Sequence, residues 1–211
     1  MTSIKDIKSQ VENEAKKILN VLGVCGNIGD DILTLYRYVV STVRYDTIIS
    51  NEKQKYTTEN FIYYDLYNGF IRKKGVCTTM SYMFSYLLEK IGVSSLVVGM
   101  ESKIDDTEHC VVLILIDGKF YYFDPATESM IYEECDKKPQ YFLMAGLGSK
   151  FYHQYYIPNV VMPSLNSSEK QKEIPLNISE ESLNEYVLRQ FLTNSFAQSH
   201  KEKSKTKKLV I

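Results

Sequence analysis

The sequence predicts an α+β fold, with a cysteine-bearing helix packed on an antiparallel sheet and preceded by N-terminal helices. Three observations carry that expectation. Up to about residue 92, apolar residues recur at spacings of three and four, the period of one helix face. Beyond it come short runs dense in valine, isoleucine, tyrosine and phenylalanine, as in strands. Between two of these runs, "DGK" at 117–119 is a tight turn of the kind that joins antiparallel neighbours. A chain of 211 residues is long enough for one sizeable core, and a second full domain is not expected.

Taken in order, residues 3–22 set Ile4, Ile7, Val11, Ala15, Ile18, Leu19 and Leu22 on one helical face. "GVCGNIGDD" breaks that helix, and Asp30 and Asp31 stand where an N-cap belongs for a second helix running to about Arg44. "YDTIISNEKQKYTTEN" reads as a long loop. "FIYYDLYNGFIRKKG" mixes aromatic and polar residues, and Gly69 and Gly75 favour short pieces with a turn before Cys77. Met80, Met83, Phe84, Leu87 and Leu88 then form one stripe that ends near Gly92, so Cys77 falls in the first turn of a buried helix. "SSLVVGME", "EHCVVLILIDGKFYYFDP" and "YYIPNVVMP" are the expected strands. The segments are an N-terminal helical extension (1–29), the main body (30–163), a polar linker with a short helix near 179–193 (164–198) and a basic flexible tail (199–211). No internal repeat is visible.

With 25 Lys and Arg against 26 Asp and Glu, the net charge of −1 argues against polyanion binding by the whole surface. The tail, "SHKEKSKTKKLVI", has five lysines against one glutamate, a local charge of +4, and offers contact to an acidic partner or surface; a solvated tail is the plainer reading. The start of the chain lacks the basic and apolar regions of a secretory signal, and no apolar run approaches the roughly 20 residues of a membrane span. A cytoplasmic protein is expected, with signal-independent export compatible with the same sequence. Cys25, Cys77, Cys110 and Cys135 are irregularly spaced with no CxxC pair, against a disulfide framework or a structural zinc site. No metal and no cofactor is implied.

The chemistry-bearing residues are Cys77, His109 and Asp124. A free thiol has a pKa of about 8.5 and is a weak nucleophile at neutral pH unless a helix N-terminus or a histidine favours its thiolate. Cys77 has the helix position. His109 lies on the strand before the "DGK" turn and Asp124 at the end of the strand after it, where a hairpin sets such residues side by side. Plainer roles exist for each: a small buried hydrophobe, a strand-end histidine, and an Asp-Pro turn. Cys110 beside His109 invites a metal reading, but four ligands cannot be assembled around it. His153 and His200 are the other two histidines; the first sits among tyrosines and the second in the tail.

The order and spacing of "VSTVRYD" (40–46), "GVC" (75–77) with the helix after it, "GV" (92–93), His109 ahead of an apolar strand, and "DGKFYYFDPATE" (117–128) resemble the transglutaminase-like superfamily, relatives of the papain fold. The resemblance covers about residues 30–128. It implies a papain-like or transglutaminase-like core spanning 30–163, with Cys77 as nucleophile, His109 as general base and acid, and Asp124 as the residue that orients it. The surroundings depart from the pattern: "CTTMSY" replaces the glycine and aromatic residue often found after the cysteine, and "HCVV" replaces the small residue, Trp and Asn often found after the histidine. The Cys77 N–H is then the default oxyanion donor, with Tyr67 or Asn68 as the candidate second.

The expected function is cysteine-dependent acyl transfer at an amide through a thioester, most simply hydrolysis of a peptide or isopeptide in a protein substrate. Protein-glutamine transglutaminase or deamidase activity shares every step to the acyl-enzyme and stays open. So does a non-catalytic binding module that keeps the fold. An adaptor for nucleic acid or membrane acting through the tail is a third class, although no specific nucleic-acid partner is expected.

Overall fold

The structure is a computed structural model in which residues 3–24, 26, 28–46, 48, 58–116, 118–134, 154–165 and 173–178 are described. The expected helix at 179–193, the basic tail, Cys25, Cys135, His153 and most of the expected loop at 45–60 lie outside the described residues.

Two helices open the chain, α1 (Ile4–Leu22) and α2 (Ile28–Thr42). A capping box between Ser3 and Asp6 starts α1, and Gly23 ends it in the left-handed region, with φ of 62°. Its buried face, Ile7, Val11, Ala15 and Ile18, joins the main core rather than standing apart. Glu12 ties it down by accepting a hydrogen bond from Tyr86 and pairing with Lys90 at 2.9 Å. Helix α2 starts earlier than its aspartates suggested. Asp30 and Asp31 sit in its first turn, and the Asp31 carboxylate accepts the Gly26 N–H at 2.8 Å, closing the connection from α1.

Strand β1 (Arg44–Tyr45) follows, then α3 (Thr58–Tyr67), a π-helical turn (Asn68–Arg72) and β2 (Lys74–Gly75). The short pieces expected here are one continuous helix with a widened last turn. The aromatic residues that blurred its period are shared between the core, where Phe70 packs beside Leu66, and half-buried positions such as Tyr63 and Tyr67. Helix α4 (Cys77–Lys90) carries the predicted stripe, with Met80, Met83, Phe84, Leu87 and Leu88 all fully buried.

The sheet is antiparallel in the order β5 (Lys119–Phe123), β4 (Glu108–Ile116), β3 (Ser95–Ser102), β6 (Tyr156–Val161). Ile116 pairs with Lys119, leaving two residues for the turn, and Gly118 has the positive φ, 80°, that such a turn requires. The β4 run "CVVLILI" does not alternate because both of its faces are covered. Cys110, Val112, Ile114 and Ile116 face the helices, while Val111 and Leu113 join Val98, Met100, Tyr122 and Val161 in a second cluster behind the sheet. The helix-side core is centred on Tyr36, Phe84 and Phe123, whose ring centroids lie 5.2–5.9 Å apart, pairs worth roughly 1 kcal/mol each beyond their buried area.

Two features were not expected. A helix, α5 (Pro125–Glu134), begins immediately after Asp124 and packs against α2 and α4. Part of the expected linker is also built into the body: Phe120 donates its N–H to the Asn177 carbonyl at 3.1 Å, and the Asn177 amide donates to the Gly118 carbonyl at 2.6 Å. The open edge of β5 supplies backbone groups that any passing segment can satisfy.

Candidate active site

The approach to Cys77 is tightly constrained. Lys73 adopts a left-handed conformation, φ 54°, and the next two residues form β2, which pairs in parallel with β1 so that Tyr45 lies opposite Gly75. Gly75 cannot carry a side chain, because a Cβ there would lie 2.3 Å from Thr79 Cγ2. This contact presses β2 onto the first turn of α4, where the Thr79 hydroxyl donates to the buried Asp65 carboxylate at 2.6 Å. Val76 is extended at the N-cap and no side chain caps the helix. Cys77 thus occupies the first position of α4, half-buried, at the positive end of the helix dipole.

His109 is the second residue of β4, opposite Met100 of β3. The continued β4–β5 register would place Asp124 across from Val111, so Asp124 is the diagonal neighbour of His109 on the same face. His109 Nε2 lies 2.6 Å from Asp124 Oδ2. Asp124 is fully buried and also caps α5: Oδ1 accepts the Thr127 N–H at 3.0 Å, and Oδ2 accepts the Thr127 hydroxyl at 2.7 Å. Proline at the first helical position and aspartate before it are a favoured way to start a helix. Asp124 therefore serves both roles open to it, helix cap and histidine partner.

Burial by itself would raise the Asp124 pKa, but the charge and hydrogen bond of His109, with the two bonds from Thr127, hold the carboxyl below its usual 3.8. Burial likewise works against a charged His109. The Asp124 charge and hydrogen bond, followed by a hydrogen bond and charge from Cys77, outweigh it and hold the imidazole well above 6.5. An ionised carboxylate can only accept, so the Nε2 proton stays on the Asp124 side and Nδ1 is the nitrogen left for the thiol. The other side of the imidazole meets Tyr156, with ring centroids 5.6 Å apart.

Cys77 and His109 open into one cleft of about 620 Å³. Phe61, Val76, Met100, Val160 and Met162 give it apolar walls, while Tyr45, Thr78, Glu108 and Asn159 are among its polar groups. Gly99 lies at the β3 irregularity opposite β6, and a Cβ there would come within 2.8 Å of Val160 Cγ1. Tyr67 and Asn68, the expected second oxyanion donors, are not in this lining. They sit at the end of α3, where Arg72 donates to Asn68 Oδ1 at 3.3 Å and lies over the Tyr67 ring. Cys110 turns its side chain into the helix-side core, since neighbours along a strand face opposite ways. Among the described residues no group of three or more His, Cys, Asp or Glu converges as metal ligands would, and no helix is long and apolar enough to cross a membrane.

Two residues near the site went unnoticed in the sequence. Tyr45 lines the cleft, and its only signal is its place in "VRYD". Glu128 lies one turn along α5 from Asp124, buried, and accepts the Tyr36 hydroxyl at 2.8 Å. Burial, reinforced by the charge of Asp124, pushes Glu128 up to about 7 against the pull of Tyr36 and Arg37. Its signal was "DPATE", which sets two acids at helical spacing.

Comparison with known proteins gives one family: residues 12–135 match the model of a transglutaminase-like domain. Among solved structures, one titled "Crystal structure of a TGase" is similar at 18% identity and a TM-score of 0.42, over 59% of this chain. The similarity spans 34% of the length of that chain. No curated protein matches.

Proposed function

The chain belongs to the transglutaminase-like domain family, and on that premise we propose that it is an enzyme of cysteine-dependent acyl transfer at amide bonds, acting as a peptide or isopeptide hydrolase. The observation that supports this most is the 2.6 Å bond between His109 and a buried, ionised Asp124, with Cys77 lining the same cleft as the imidazole.

The Cys77 sulfur attacks the amide carbonyl carbon, and the C=O π pair moves onto oxygen. His109, held protonated by Asp124, gives its proton to the amine nitrogen as the C–N bond breaks. The amine departs and a thioester remains on Cys77. His109, now neutral, takes a proton from water as the water oxygen attacks. The acid leaves as the C–S bond breaks, and the Cys77 thiolate and the protonated imidazole are restored. When the acceptor is an amine the same acyl-enzyme gives a crosslink, and when the substrate is a glutamine side chain hydrolysis gives deamidation. Glu108 in the cleft attracts a cationic amine, which becomes a competing acceptor once it has lost a proton.

The test is the rate of iodoacetamide alkylation of Cys77 at pH 6, followed by peptide mass spectrometry in the wild type and in His109→Ala. The wild type is expected to react at least about tenfold faster. Equal rates would instead make the chain a binding module that keeps the fold without the chemistry.

A further inference from the structure

We infer that the Asn159 carboxamide binds the peptide group next to the reacting carbonyl of the substrate, so that the cleft selects peptide acyl groups over simple ones. The inference rests on the acyl-transfer reading and narrows the substrate that reading takes.

Asn159 is the extra residue of a β-bulge. Gly99 of β3 pairs with Val160 of β6, and Met100 pairs with Pro158, which leaves Asn159 with no partner residue on β3. Pro158 has no N–H to continue a regular ladder, and proline within a strand is accommodated at edges and bulges. In a regular strand Asn159 and Val160 would face opposite sides of the sheet. Here both reach over Gly99: a Cβ on that residue would lie 2.8 Å from Val160 Cγ1 and 3.3 Å from Asn159 Oδ1. Cys110, which pairs with Gly99 on β4, turns to the helix side, so the bulge sends the Asn159 side chain to the face on which α4 presents Cys77. Gly99, Asn159, Val160 and Cys77 accordingly line one cleft.

The carboxamide is exposed, and none of the described residues bonds it. It offers N–H donors and an oxygen acceptor, the complement of a peptide group, which presents one of each. Val76, Met100, Val160 and Met162 make the surrounding walls apolar. An amide that enters between them gives up water and needs a partner that can replace both of its hydrogen bonds. An acyl group without that amide gains nothing from Asn159.

Two esters with the same leaving group test this in the full chain. The Cys77 thiolate attacks the ester carbonyl of p-nitrophenyl acetate or of N-acetylglycine p-nitrophenyl ester. The sulfur–carbon bond forms, the carbon–oxygen bond breaks, and p-nitrophenolate leaves with that bonding pair. Both reactions leave a thioester on Cys77, but only the second ester carries an amide beside the carbonyl. The ratio of the N-acetylglycine rate to the acetate rate, read from released nitrophenolate and peptide mass spectrometry of Cys77, should fall about tenfold from wild type in both Asn159→Ala and Asn159→Leu. The first variant empties the position and the second fills it. A fall in only one of them would mean that shape rather than hydrogen bonding sets the ratio, and would overturn the inference. An unchanged or raised ratio would overturn it too, including the case in which both rates drop together. A wild type that is no faster than His109→Ala with either ester would overturn the acyl-transfer reading itself.

Discussion

The hydrogen-bonded cluster behind His109 and the helical core beyond it each bury a carboxyl group, Asp124 at the cap of α5 and Glu128 one turn into that helix. Burial opposes ionisation of both. Behind the cleft, Asp124 meets a histidine that becomes a cation, a backbone N–H and a hydroxyl, so its carboxylate form prevails. In the core, Glu128 meets one tyrosine hydroxyl, with Arg37 nearby and the Asp124 charge acting against it, so its neutral form is favoured up to about pH 7. Depth alone does not decide ionisation here. The partners do, and ionising one acid makes ionising the other harder.

The sharpest way to break this contrast is Asp124→Asn, which keeps the size and removes the charge. His109 then loses the partner that holds its proton on Nε2, and Cys77 acylation by p-nitrophenyl acetate should fall by about 10³-fold or more. A loss under tenfold would mean that the carboxylate matters mainly as a helix cap.

A smaller effect is expected on stability. The folded protein holds the Glu128 proton more tightly than the unfolded chain, so this contribution is full below about pH 4.5 and is lost as pH rises through about 7. The loss amounts to roughly 3 kcal/mol across that window, at 1.36 kcal/mol per unit of pKa. Glu128→Gln keeps an acceptor for Tyr36 and cannot titrate. In urea unfolding, the wild type should lose about that much stability relative to the variant between pH 4.5 and pH 8. Parallel stability curves would show that Glu128 ionises normally. His109 contributes with the same sign, since its raised pKa stabilises most below 6.5 and the benefit is lost at higher pH. Asp124 acts with the opposite sign, losing its contribution as pH falls through its lowered value.

The smallest effect should come from Tyr36→Phe, which removes the hydroxyl that donates to Glu128 while leaving the aromatic packing with Phe84 and Phe123 in place. Unfolding at pH 5 should show a loss of about 1 kcal/mol. The stability contribution of Glu128 should then persist to higher pH. Unchanged stability would mean that a neutral Glu128 finds another partner.

Much of the architecture was legible because it rests on local rules. The stripe of α4 and the strands flanking "DGK" follow side-chain periodicity and turn chemistry, which neighbouring residues set almost alone. His109 and Asp124 came with them, since a two-residue turn dictates the hairpin register. The β4 run hid which residues face the helices, because a strand covered on both sides loses its alternation. Helix α3 was blurred by aromatic residues divided between core and cleft, among them Leu66's neighbour Tyr67 and the cleft residue Phe61. Tyr67 and Asn68 lie close to Cys77 in sequence yet face Arg72, since the π-helical turn and the left-handed Lys73 separate them from the cleft.

By itself, then, the amino-acid order determined the first two helices, α4, the strands, the hairpin register and the three residue types of the proposed chemistry. These are short-range consequences of period, caps and turns. Tertiary structure decided what those residues meet. It brought Tyr45, 32 positions before Cys77 in the chain, into the same cleft through a two-residue parallel pairing. It also set Glu128 against Tyr36 across 92 residues. Ionisation and substrate contacts depend on the packing around each group, and that packing is assembled from segments far apart in the chain.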